Sequence, residues 1–377
     1  MVLRRRPELL KFVGEVWVVM LLVDISFSLF APFLPIEMTK KGYNPKYMGP
    51  IMSAFSLGPL FSAPLLPRLV ARFTRRTFLM LNIFGLGFTM MLFAFLMQMD
   101  LSENAFVSLA ILLRFFQGFH SGFILAIQFS LISKVLSEED KAIVWAQHQM
   151  AAGLGVMIGP IVGGLLYIKF GYMYPFLLIA LICFIVFPLI KVLVPKKGDY
   201  VEKEPVEEGS ATAKQGTLRN YMMILGRPRI SMVLLVFLLV NTQYIYLEPI
   251  MALRLVEQYG LPLWMSNLFF ALIPIGYMLG TVTQLLILGV CKVKVVPQKQ
   301  VIVCALLMVA SILLSGPSIL LPNELGLMVV GLFGQGFFGI LQTLPLLPLV
   351  HSQIQNEFGA MKAARLTDST SGIYAIA

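Results

Sequence analysis

Three ionisable side chains stand inside stretches that are otherwise apolar: Asp24, Arg114 and Glu248, the last beside Pro249. A charge at the centre of a hydrocarbon layer costs about 2.5–3.5 kcal/mol on insertion scales, so such groups are kept where they face a protein interior, pair with a partner or mark a pathway. A carboxyl group withdrawn from water resists ionisation and can therefore exchange protons near neutrality. It can also supply the counter-charge that a cationic solute needs. Arg114 has two open roles, ordering the surrounding helices through a carboxylate or backbone carbonyl, or touching a solute. Gln117, Asn241, Gln243 and Tyr244 lie on the same stretches and are candidate lining groups. His120 is either a proton relay or a hydrogen-bonded packing residue. Glu15 and Asp368 fall near the ends of apolar runs, where solvation by water explains them.

The elements that carry these groups follow from composition. Of 377 residues, 58% are hydrophobic and 13% charged, against about 45–50% and about 25% in soluble domains. The apolar residues cluster in runs of roughly 20, the length a helix needs to cross about 30 Å of hydrocarbon. With no water to satisfy the backbone there, each run must be helical. Ten complete spans are predicted near 13–36, 47–66, 77–99, 105–133, 143–168, 173–194, 230–253, 263–289, 298–320 and 325–350, and an eleventh opens near 369. Lys and Arg prefer cytoplasmic loops. A cytoplasmic N-terminus leaves only Lys40, Lys41, Lys46, Lys169 and Arg254 on the far side and Arg114 within a span. Residues 195–229, rich in Lys, Glu, Pro, Gly and Ser, have the composition of a solvated linker. The predicted organisation is an all-α membrane protein: a six-helix bundle over 1–194, the linker over 195–229 and a second bundle over 230–377.

The halves repeat one another. Leu21-Leu22-Val23-Asp24 precedes Pro32 as Leu238-Leu239-Val240-Asn241 precedes Pro249, and Gln117-Gly118-Phe119 matches Gln335-Gly336-Phe337, at offsets of 217 and 218. Parallel six-span repeats are the plan of the major facilitator fold, in which solute binds at the midplane. The repeat places Asp24 and Glu248 on equivalent first and seventh spans, expected to face one another across a central cavity. The repeat partners of spans five and six run past Ala377, so the second bundle is expected to be incomplete, with ten full spans plus the start of an eleventh.

In the fifth span, Gly155, Gly159, Pro160, Gly163 and Gly164 form a string whose four-residue glycine spacing strips one helix face and lets a neighbouring backbone approach. Pro160 removes a backbone donor and is expected to bend the helix. Gly276 and Gly280 in the eighth span offer a candidate partner face. The string resembles the antiporter signature of major facilitator exchangers. Between spans two and three, Pro67-Arg68-Leu69-Val70-Ala71-Arg72-Phe73-Thr74-Arg75-Arg76 resembles the superfamily's cytoplasmic loop motif. Arg72, Arg75 and Arg76 match, while Pro67, Ala71 and Thr74 replace the usual Gly, Asp and Gly.

Several stretches together resemble the vesicular amine transporter family of that superfamily. They are Leu22-Val23-Asp24 through Ala31-Pro32-Phe33-Leu34-Pro35, Leu247-Glu248-Pro249, Arg114 with Gln117-Gly118, and Ser371-Gly372-Ile373-Tyr374-Ala375-Ile376-Ala377. The resemblance implies that Asp24 and Glu248 are amine or proton sites. Phe55 stands where the monoamine members have a second-span Lys, Gln342 near their tenth-span acid, and residues 37–46 replace their large outer loop. These departures point to the polyamine-transporter-like branch.

Other classes lack their residues. No nucleophile–base pair or phosphate-binding glycine loop appears, and Cys183, Cys291 and Cys304 have no metal-type spacing. The net charge of +10 is dispersed over membrane loops, as topology requires, and does not form a nucleic-acid surface. The expectation is a transporter without cofactor or metal, exchanging a cationic small molecule for protons in an intracellular vesicle or plasma membrane. An exporter of drugs or metabolites with the same fold, and a non-transporting receptor or scaffold, are the alternatives.

Overall fold

The structure of the chain is a computed structural model that describes residues 7–30, 33–70, 73–136, 138–194, 222–260, 263–287, 296–316, 322, 324–359 and 366. Every element among them is helical. In order they are α1 (Pro7–Ser28), α2 (Leu34–Lys40), α3 (Met48–Ser62), α4 (Leu66–Val70), α5 (Arg75–Leu96), α6 (Glu103–Val135), α7 (Glu138–Phe170), α8 (Met173–Leu193), α9 (Pro228–Glu257), α10 (Leu263–Leu285), α11 (Pro297–Ser315), α12 (Leu325–Thr343) and α13 (Leu346–Phe358). Six helices among the described residues are long and apolar enough to cross a membrane. Local chemistry sets several ends. Thr74 and Ser102 cap α5 and α6 by accepting from Thr77 N and Ala105 N, satisfying donors that a helix start leaves free. Gly171, at φ 92°, turns α7 directly into α8, a conformation that favours glycine.

Prolines moved three expected boundaries. The first span was expected over 13–36, but α1 ends at Ser28 and a separate short helix begins at Leu34; Pro32 has no N–H with which to continue it. The second ends at Ser62, where a 3-10 turn over Ala63–Leu65 contains Pro64. The tenth, expected over 325–350, breaks at Leu344–Pro345 into α12 and α13. α7 runs as one helix from Glu138 to Phe170 with Pro160 inside it. The linker expected over 195–229 is described only from 222 onward, and Asp368 lies outside the described residues.

The chain forms two compact units. One holds α1 to α6, α7 from Gly155 onward and α8; the other holds α7 up to Leu154 with α9 to α13. Within the first, α3 packs on α6, α5 on α6 and α8, and α1 on α6 and α8. The α3–α6 contact is backbone against backbone: a Cβ on Gly118 would strike the Phe55 carbonyl, and one on Gly58 would strike the Gly118–Phe119 peptide. In the second unit α10 and α12 meet the same way, Gly276 against the Phe333 carbonyl and Gly336 against the Ile273 carbonyl. Gly58 and Gly276 stand at the repeat offset already seen between Gly118 and Gly336. Both units are therefore closed by one device in repeated form. A buried cluster of Leu255, Met328 and Leu332, with Phe269, Leu272 and Ile273 against it, adds the apolar core of the second.

At the far end of the first unit, Lys40 Nζ donates to Glu37 Oε1 at 2.7 Å and to Tyr167 Oη at 2.6 Å, while Tyr167 Oη donates to Glu37. This ties α2 to the end of α7. Burial opposes ionisation of Glu37, but hydrogen bonds from Lys40 and Tyr167 and the charges of Lys40 and Lys41 outweigh it, holding the carboxyl below its ordinary range. A lowered acid contributes stability above the unfolded pKa and loses it as pH falls through the folded value. In thermal melts, Glu37→Gln is expected to lower Tm at pH 7, with the difference closing only below the ordinary carboxylate range. A difference constant down to pH 3 would show that the charge on Glu37 is not what counts.

Candidate functional site

The last turns of α1 bring polar groups together. Ser26 Oγ and Ser28 Oγ donate back to Leu22 O at 2.6 Å and Asp24 O at 2.9 Å, which keeps both hydroxyls satisfied inside an apolar bundle. Asp24 has no such arrangement. Its Oδ2 is buried and accepts no hydrogen bond.

α7 is the element against which Asp24 is set. The glycines at 155, 159 and 163 line the face turned to α1. A Cβ on Gly155 would lie 2.7 Å from Asp24 Cβ, one on Gly159 would strike Ser28 Oγ, and one on Gly163 would lie 2.8 Å from Leu29 Cδ1. Ser28 Oγ also reaches Gly155 O at 3.4 Å. The expected partner face, Gly276 and Gly280, is engaged elsewhere, on the carbonyls of Phe333 and Phe337 in α12. The glycine spacing identified a stripped face, but α1 is what fills it. Gly164 is not part of that face, since nothing lies within 4 Å of a Cβ placed there.

Arg114, on α6, is fully buried and meets no carboxylate among the described residues. Its Nη1 donates to Ser26 O at 3.3 Å and Gln117 Oε1 at 3.2 Å, and its Nη2 to Phe27 O at 3.3 Å. The guanidinium lies 4.1 Å from the ring centre of Phe30 and 4.8 Å from that of Phe55. The last carbonyls of a helix lack partners within it and carry partial negative charge that attracts a cation. Arg114 is thus the cap of α1, and aromatic faces take the place of a counter-ion. Gln117 is consumed in orienting it, although Gln117 Nε2 has no partner of its own.

The other expected residues separate. Asn241 Nδ2 donates to Phe237 O at 2.8 Å, a local bond within α9. Gln243, Tyr244 and Glu248 belong to α9, but their side chains lie outside the described residues, as does Arg72. Arg75 is buried and donates from Nε to Ser130 Oγ at 2.9 Å, while Arg76 Nη2 donates to Val194 O. Both therefore staple the start of α5 to the ends of α6 and α8. His120 Nδ1 lies 3.0 Å from Asn82 Oδ1, its ring in the hollow left by Gly85, as the packing role requires.

One acid was misplaced by the sequence reading. Glu15, expected to be solvated, is 0% exposed. Gln128 Nε2 on α6 donates to its Oε1 at 3.4 Å. α1 is already helical at Pro7, the first described residue and well before the apolar run, which places Glu15 at least two turns inside.

A family profile described as Major Facilitator Superfamily matches residues 16–377. The chain is 23% identical over 257 residues to MFS-type transporter SLC18B1 of Homo sapiens and 22% identical to that of Mus musculus, covering 68% of this chain and 53% of each relative. It is 28% identical over 178 residues to multidrug resistance protein MdtG of Yersinia enterocolitica, covering 45% and 40%. The chain spans about half the length of the curated relatives it matches. Among solved structures, it resembles the human organic anion transporter MFSD10 (TETRAN) at TM-score 0.71 and 18% identity over 98% of this chain and 91% of that one. It resembles the proton:xylose symporter XylE at TM-score 0.72 and 12% identity over 97% and 86%.

The seam between α1 and α7 can be tested within one motif. Gly155→Ala forces a methyl group onto Asp24, an overpacking that costs about 1–3 kcal/mol. Gly164→Ala adds the same atoms to open space. Thermal unfolding is expected to show the first variant clearly destabilised and the second near wild type; equal melting temperatures would contradict this placement of α7.

Proposed function

The chain belongs to the Major Facilitator Superfamily, and on that premise we propose that it is a proton-coupled antiporter of organic cations, amines or polyamines, working by alternating access. It is a multi-pass membrane protein of a transporter superfamily. The finer reading rests on Asp24, a half-buried acid whose buried Oδ2 has no partner among the described residues, on a helix whose end is closed by a cation engaged elsewhere. An acid that Arg114 does not neutralise is available to a proton or to an ammonium group, and burial makes each exclude the other. The similarity to MFS-type transporter SLC18B1 supports a transporter, and the amine reading rests on the likeness of the stretches around Asp24, Arg114 and Glu248 to the vesicular amine transporter family. Glu248, on the span that is repeat-equivalent to α1, is proposed as the second acid of the exchange, with Gln117, Asn241, Gln243 and Tyr244 as polar lining groups. We further propose bundles over 1–194 and 230–377, joined by a cytoplasmic linker over 195–229, with a cytoplasmic N-terminus in a vesicle or plasma membrane.

A second reading, an exporter of drugs or metabolites in which the acids serve coupling alone, is favoured by the similarity to MdtG. Uptake into proteoliposomes separates the two. With an imposed pH gradient, labelled spermidine or serotonin is expected to accumulate, and Asp24→Asn or Glu248→Gln is expected to abolish at least nine-tenths of that accumulation. No gradient-driven amine uptake by folded protein would remove the amine assignment. Uptake of neutral compounds lost in the same variants would establish the exporter instead.

A further inference from the structure

Glu15 is not among the acids just assigned, and its surroundings contain a mismatch. The side chain is fully buried between α1 and α6, and its described hydrogen-bond partner is Gln128, itself 0% exposed. Gln128 Nε2 donates to Glu15 Oε1 at 3.4 Å. Two atoms remain without partners, Glu15 Oε2 and Gln128 Oε1. Both are acceptors, and although the second N–H of the amide could be turned to Glu15 Oε2, no rearrangement of the pair gives Gln128 Oε1 a donor. A single added donor satisfies both, because a carboxylic acid and a primary amide can bond reciprocally, N–H to one carboxyl oxygen and O–H back to the amide oxygen.

No described cation takes the donor's place. On α1 itself Lys11 is exposed; on α6 Lys134 is exposed and Arg114 is engaged at the other end of α1; on α8 Lys191 is exposed. From α5, Arg75 is committed to Ser130. An ionised carboxylate with one long hydrogen bond and no counter-charge would carry most of its desolvation cost uncompensated. We propose that Glu15 binds a proton in this conformation, held as a carboxylic acid against Gln128, and forms a proton site on α1 separate from Asp24. Glu15 and Asp24 are nine residues apart, about 13 Å of helix rise, too far for direct transfer between them. The occupancy stands on the pair itself; its use in coupling rests on the antiport reading above.

Infrared difference spectroscopy of the whole chain in lipid nanodiscs at pH 7 tests occupancy without any substrate. The wild-type minus Glu15→Gln spectrum is expected to contain a protonated-carboxyl C=O band that Asp24→Asn leaves in place. A carboxylate signal instead, as for an acid solvated by buried water or holding a metal ion, would overturn the proposal. Should Glu15→Gln fail to fold, Gln128→Leu serves: the same band should move to the position of a carboxyl lacking that hydrogen bond, and an unmoved band counts against the pairing. For coupling, Glu15→Gln is expected to lower gradient-driven uptake at least tenfold while sparing substrate exchange without a gradient. Unchanged gradient-driven uptake would refute the coupling role, whereas a chain that transports none of the amines would undo the functional reading and leave the infrared result intact.

Discussion

The carbonyl end of α1 has to be closed inside the protein. Where water is absent, each buried backbone acceptor needs a partner from the chain, and Pro32 offers no N–H to extend the helix. Arg114 meets that demand by donating to the carbonyls of Ser26 and Phe27. Because the guanidinium is also flanked by the rings of Phe30 and Phe55, its charge is accommodated without drawing in an acid. The consequence falls on Asp24, one turn before the capped end. An arginine that paired with it would make a neutral ion pair; an arginine spent on carbonyls leaves the carboxyl open to ligands from outside the protein.

A second constraint is distance. α1 lies on α7, α3 on α6, and α10 on α12 at separations that exclude a single Cβ at the contact. Helices in a bilayer gain little from burying apolar surface against one another, so close backbone approach and the dispersion contacts it permits do much of the holding. Glycine is needed at Gly58, Gly118, Gly276 and Gly336 for that reason. Their recurrence at one offset is the repeat expressed in packing. The α1–α7 seam differs in what it carries: its first glycine abuts Asp24, so the spacing that permits close packing also fixes the height of the acid.

Much of this was legible in the sequence. Apolar runs gave the helices, the Gln-Gly-Phe match gave the repeat, and the prolines marked most of the ends that shifted. Partners were less legible than faces. The glycine string announced a stripped surface but not whether α1 or the eighth span filled it, since any close-approaching helix suits the spacing equally. Arg114 could be placed inside the bundle, but carbonyls and carboxylates attract a guanidinium alike and only geometry separates them. Glu15 was missed because hydropathy locates where a helix becomes apolar, whereas α1 is helical from Pro7, well before that point.

The two acids of α1 sit in contrasting environments. Glu15 faces an amide that can both donate and accept, so its protonated form can be paired within the protein. The Cβ of Asp24 lies against Gly155, which offers no side-chain donor, and its Oδ2 has no partner among the described residues. Protonation alone can complete the first; the second needs a proton together with an acceptor, or a cation that brings its own donors. An ammonium group has donors in surplus and fits that lack better than a neutral solute does. At the seam beneath Asp24, α7 presents Gly155 and Gly159 to α1, and Ser28 Oγ reaches Gly155 O at 3.4 Å. A shift of α1 along α7 would change the surroundings of both acids together, and it would have to break the bonds from Arg114 and Gln128 that hold α1 to α6.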